Sequence, residues 1–117
     1  MLTLKEVKDQ NPWLSQTGIE DWFPMPPQAD YSNRIPLDAG DGNEQFARAI
    51  SWLLSMPARK TVNPKASSYS MKHIAEKVTG GYISNGCLIA AAMAIGFPVK
   101  HIFGTSQARI GVGLLKR

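Results

Sequence analysis

The side chains best suited to nucleophilic or zinc chemistry are few in this chain: one cysteine, Cys87, and two histidines, His73 and His101. The histidines lie 28 positions apart, and neither is followed by a second Cys or His at the three- or four-residue spacing that puts two zinc ligands on one helix face. Asp38-Ala-Gly-Asp-Gly-Asn has the composition of a calcium loop. It fails the spacing of alternate oxygen ligands, and Glu44 does not stand at the closing position. Cys87 opens a run of Leu88, Ile89 and alanines. Apolar surroundings raise a thiol's pKa, so Cys87 is expected to be structural rather than nucleophilic. Gly80-Gly81 and Gly104-Thr105-Ser106 are too short to cradle a phosphate. No catalytic residue, metal site or cofactor is expected.

What remains is charge, and it is unevenly divided. Residues 1–57 carry four basic residues against eight acids, a net −4, while residues 58–117 carry nine basic residues against the single acid Glu76, a net +8. A basic half calls for an anionic partner: a nucleic acid, an acidic protein face, or the chain's own acidic half. The candidate contacts are Arg59, Lys60, Lys65, Lys72, Lys77, Lys100 and Arg109, followed by Lys116 and Arg117 at the end. Such residues hold phosphates without specifying sequence. Tyr69 and Tyr82 lie among them, placed either to stack on a base or to close the edge of the core.

These residues sit on elements whose ends are marked. Thr3 and Glu6 have capping-box spacing, which predicts a short helix over about 4–9, stopped by Pro12. Residues 10–42 hold five prolines and are expected to be irregular. Their aromatic residues Trp13, Trp22, Phe23 and Tyr31 either pack on the core or offer a protein interface. A second helix is predicted over about 43–56, between Asp41-Gly42-Asn43 and Pro57, with Phe46, Ala49, Ile50, Leu53 and Leu54 as its apolar face. Glu44 and Arg48 have the favourable i,i+4 spacing on its other face. A basic connection follows. A third helix is predicted over about 69–79, capped by Ser67 or Ser68, with Met71, Ile74, Ala75 and Val78 inward, Lys72, His73, Glu76 and Lys77 outward, and Gly80 as its stop. The fourth, from Ser84 or Asn85 to Gly96, has no charge anywhere on its circumference, the mark of a helix in the centre of a fold. Val99, Ile102 and Phe103 are expected to form a short strand or an edge packed on it.

The third and fourth helices have the outline of a helix-turn-helix. Residues 86–96 nevertheless contain no Arg, Lys, Asn or Gln with which a recognition helix reads bases. In Lys72-His73-x-x-Glu76 beside Tyr69, local pairing of Lys72 with Glu76, and capping by Ser84 or Asn85, is preferred to a recognition corner.

The first residues, Met1-Leu2-Thr3-Leu4-Lys5-Glu6, lack the basic-then-apolar pattern of a secretory leader, so none is expected. The longest unbroken apolar run, Cys87 to Ile95, is nine residues, where a membrane span needs about 20. With one thiol and no possible internal disulfide, a cytoplasmic setting is expected.

The run Ser67-Ser68-Tyr69-Ser70-Met71-Lys72-His73-Ile74-Ala75-Glu76, with Gly81-Tyr82-Ile83-Ser84-Asn85-Gly86, Ile89-Ala90-Ala91-Ala92 and Gly96-Phe97, resembles a block found in small uncharacterised proteins of bacteria, prophages and other mobile elements. It covers about residues 59–110. The resemblance implies no established activity. Proteins of that size and context commonly act by binding, some to nucleic acid and others, such as anti-CRISPR proteins, to host defence complexes.

The expectation is therefore one mostly α domain over 1–117, with an irregular acidic, aromatic arm over 1–42, a helical core over 43–117 and a buried helix at about 85–96. Its expected function is non-enzymatic binding of nucleic acid or a host nucleoprotein complex by the basic half, without a membrane. The alternatives are an inhibitor docking on a host protein through Trp13, Trp22 and Phe23, and a structural or oligomerising protein.

Overall fold

The computed structural model describes residues 1–19 and 34–113. Four helices and two small antiparallel sheets follow one another as α1 (Leu4–Gln10), β1 (Leu14–Ser15), β2 (Gly18–Ile19), α2 (Gly42–Leu54), α3 (Ser68–Thr79), α4 (Asn85–Ile95), β3 (Val99–His101) and β4 (Ala108–Ile110). The fold is helix-dominated, as expected, but the two hairpins make it mixed.

The helix ends follow their chemistry. Thr3 Oγ1 accepts from the Glu6 N–H, and the Glu6 carboxylate accepts in return from the Thr3 N–H. Ser67 and Ser84 cap α3 and α4 through their hydroxyls. Gly80 and Gly96 end the same two helices in the left-handed conformation, at φ 79° and 100°.

The centre is α4. Cys87 through Ala92 are all 0% exposed. The small residues Ala90, Ala91 and Ala92 let neighbouring elements approach closely. α2 packs most extensively against α4, α1 and α3 lie beside it, and both hairpins close around it. The N-terminus of α4 is plugged by backbone: the Gly86 N–H donates to the Gln16 carbonyl at 3.0 Å, and the Asn85 amide donates to the carbonyls of Thr17 and Ser106 at 2.8 and 2.9 Å. Ser84-Asn85-Gly86 thus ties the β1–β2 turn and the β3–β4 loop to the central helix.

The structure corrects the sequence reading of the helices and the arm at three places. First, α3 is rotated relative to its predicted face. Its buried residues are Ser68, Met71, Lys72 and Ala75, whereas Ile74 and Val78 are 41% and 67% exposed. Lys72 lies inward because its ammonium finds a carboxylate and two aromatic rings there. Second, α2 buries Gln45 and Trp52 with Ala49 and Leu53, while Leu54 is 61% exposed. Gln45 is tolerated inside because it bonds the Ser84 N–H and the Asp41 carboxylate. Third, the arm is not wholly irregular, since β1 and β2 pair as Leu14 with Ile19 and Ser15 with Gly18. No helix among the described residues is long and apolar enough to cross a membrane.

Candidate functional site

β3 and β4 pair antiparallel, with Val99 opposite Ile110, Lys100 opposite Arg109 and His101 opposite Ala108. The alternation of a strand sends Ala108 and Ile110 into the core and Arg109 outward. Lys100, directly across, shares that outward face and is exposed.

The connection over 57–67 runs along the other edge of β4. Ala58 bridges Val112 and Ser67 bridges Arg109. The Arg59 N–H donates to the Gly111 carbonyl at 2.8 Å, and the Ile110 N–H to the Ala66 carbonyl at 2.9 Å. Asn63, itself buried, donates its side-chain amide to the Val112 carbonyl at 2.9 Å. A segment that reads as a loop is therefore pinned as a third ribbon, and it carries the exposed Arg59, Lys60 and Lys65. The fold gathers these three with Lys100 and Arg109 on one ribbon-like layer.

Two of the described cations of the predicted set fall outside it. Lys77 is exposed on the last turn of α3, about 15 Å along the axis from Ser67. Lys72 is 7% exposed. Its Nζ lies 3.1 Å from Glu76 Oε2, 5.7 Å from the Tyr69 ring centroid and 5.0 Å from that of Tyr82. It is a scaffold cation, holding two half-exposed tyrosine rings by charge–quadrupole attraction. Glu76 also accepts from the Ile83 N–H at 3.0 Å and lies 3.3 Å from His73 Nδ1. Burial pushes the Glu76 carboxyl up, but the Ile83 and Lys72 hydrogen bonds and the charges of Lys72 and His73 outweigh it and hold the group below the usual range. This corner is therefore built from local pairing of Lys72 with Glu76 and capping by Ser84. Arg48 buttresses it, donating to the Tyr82 carbonyl at 2.9 Å.

Cys87 is 0% exposed, and its thiol reaches the Leu37 carbonyl at 3.5 Å. Burial drives its pKa up to about 11, opposite to what a nucleophile requires. Trp13 is half-buried and packed against the core. Trp22, Phe23, Tyr31, Lys116 and Arg117 lie outside the described residues.

The short strand expected at Val99 forms as β3 but ends at His101, and Phe103 is neither in it nor packed on the central helix. Phe103 stands on the turn between β3 and β4 and is 88% exposed. The sequence holds a signal for this. Phe103-Gly104-Thr105-Ser106 is turn chemistry between two segments in which Lys100 and Arg109 alternate with smaller or apolar neighbours.

Electrostatically, the layer is unbalanced. Among the described residues, Asp9 pairs with Lys5, Asp38 with Lys8, Asp41 with Arg48 and Glu76 with Lys72 and His73. None of these acids reaches Arg59, Lys60, Lys65, Lys100 or Arg109. Lys100 and Arg109 moreover face each other across the ladder, where like charges repel. No protein-family model, curated protein or solved structure matches the chain.

Proposed function

We propose that the protein is a non-enzymatic nucleic-acid-binding module that grips the phosphate backbone with the layer formed by the 57–67 connection and the β3–β4 hairpin. One observation carries this reading: five cations, Arg59, Lys60, Lys65, Lys100 and Arg109, share that layer with no ion-pair partner among the described residues. Side chains arranged against their own repulsion are relieved by an anionic polymer.

The binding mode is backbone-directed. α4 occupies the place of a recognition helix in the helix-turn-helix outline, but it is buried in the core and cannot enter a groove. A layer of Lys and Arg holds phosphates and discriminates little between bases.

Titration of a labelled oligonucleotide across a series of salt concentrations tests this. Five phosphate contacts predict that log K falls with log salt at a slope of about −3.5 to −4.5. Failure to bind DNA or RNA at low salt would overturn the proposal.

A further inference from the structure

We propose that Phe103 is a stacking residue, and that the nucleic acid this protein takes is single-stranded. The inference rests on the phosphate-binding reading above and adds the form of the strand.

The loop that carries Phe103 is tightly built. The Ile102 N–H donates to the Gln107 carbonyl at 3.0 Å, the Thr105 N–H and hydroxyl donate to the Ile102 carbonyl at 3.1 and 2.8 Å, and the Gln107 N–H donates to Thr105 Oγ1 at 3.0 Å. His101 Nε2 lies 2.6 Å from the Thr105 carbonyl. The Ser106 carbonyl is held from two sides, by the Ile19 N–H at 3.0 Å and by the Asn85 amide at 2.9 Å. Gly104 takes the positive φ of 81° that the turn needs. The loop so fixed presents a phenyl group 88% exposed at its tip.

The surroundings of the ring select its partner. Lys100 and Arg109 face outward on the strands leading to the tip, within about 10 Å of it along the hairpin. An aromatic ring at the tip of a hairpin whose strands carry outward cations is the combination that binds single strands: cations track the phosphates while rings stack on bases, whatever their identity. In a duplex the faces of the bases are already covered by their neighbours. A lipid surface fits less well, because one ring flanked by Gly104, Thr105 and Ser106 offers little apolar area to insert.

Fluorescence anisotropy with oligo(dT), oligo(U), a DNA duplex and phosphatidylserine vesicles tests the proposal on the full chain, comparing wild type with Phe103→Ala and Phe103→Trp. The expected result is tighter binding to one or both single strands than to duplex. Phe103→Ala should lose about 5- to 100-fold in single-strand affinity with an unchanged salt slope, and Phe103→Trp should retain it. The oligo(dT) and oligo(U) arms tell a DNA ligand from an RNA one. Equal affinity for duplex, no effect of Phe103→Ala, or vesicle binding that needs Phe103 while oligonucleotide binding does not, would each overturn the stacking role and leave the phosphate-binding function standing. Absence of binding to every oligonucleotide at low salt would remove both. Because the ring is almost wholly exposed, Phe103→Ala should melt with wild type, which separates a binding defect from a folding defect.

Discussion

Glu76 shows how one side chain can be read as surface and turn out to be a junction. It is the only acid after residue 57, and its two oxygens serve Lys72, His73 and the Ile83 N–H. Its carboxyl is held below the usual range, so the ionised form is favoured in the folded state. A depressed folded pKa contributes stability above the unfolded pKa, and that contribution is lost as pH falls through the folded value. Glu76→Gln removes the charge and leaves the buried Lys72 ammonium without a carboxylate. The urea midpoints of the two proteins should therefore differ most at neutral pH, keep that difference down to about the ordinary Glu pKa, and converge as the pH falls below it. A gap that stayed constant down to strongly acid pH would show that the charge of Glu76 contributes nothing. The tyrosines depend on the same junction, since the Lys72 ammonium lies over both rings. The candidate site read in the sequence thus divides at Lys72: Arg59, Lys60, Lys65 and Lys100 are exposed, whereas Lys72 is buried against Glu76 and the two tyrosines.

The helices were largely legible from the sequence because their ends are written in residues with local effects. The predicted 43–56, 69–79 and 85–96 fall within two residues of α2, α3 and α4 at each end. The face of α3 was not legible, because hydropathy ranks Ile74 and Val78 above Lys72, and only the tertiary positions of Glu76, Tyr69 and Tyr82 reverse that order. The hairpins were legible only in part, as a short strand beginning at Val99 and a turn at Phe103-Gly104-Thr105-Ser106. Strands of two and three residues show too little alternation to fix their ends or partners, and their register comes from docking on α4. Gly86 is the point of that docking. A Cβ there would collide with the Ser15 carbonyl and crowd Gln16 Cα. Gly86 is helical, with no positive φ, so its requirement is space rather than backbone freedom. Gly86→Ala would therefore push the β1–β2 hairpin off the helix and strain the Gln16 carbonyl bond, even though alanine favours the helix itself. Overpacking against backbone predicts a destabilisation of about 3 kcal/mol or more in chemical denaturation. A variant as stable as wild type would mean that the hairpin is not held by this contact.

At the scale of the whole molecule, the division of charge is kept in the ion pairs between described residues. A chain of net +4 whose acidic and basic halves neutralised each other would present a mixed surface. The ion pairs between described residues instead stay within their own halves: Lys5, Lys8 and Arg48 take Asp9, Asp38 and Asp41, all before residue 58, and Lys72 takes Glu76 after it. Glu20, Asp21 and Asp30 lie outside the described residues. The basic layer keeps its field against the acids that are described, and a field of one sign raises both the encounter rate and the affinity for a polyanion. On the proposed function, the salt dependence of binding is a property of position rather than of total charge. Replacing Lys60, Lys65 and Lys100 together by Ala removes three exposed cations from the layer. Each phosphate interaction abolished in this way flattens the slope of log K against log salt by about 0.7–0.9, or about 2–3 in all. Replacing Lys5 and Lys8 lowers the net charge as well, but it breaks pairs remote in sequence from the layer and should leave the slope near that of wild type. Thermal melts of both variants should stay close to wild type, since exposed charges contribute little to stability. If the two variants flattened the slope in simple proportion to the charge removed, binding would be a response to net charge, and the arrangement of cations along the ribbon would have no part in it.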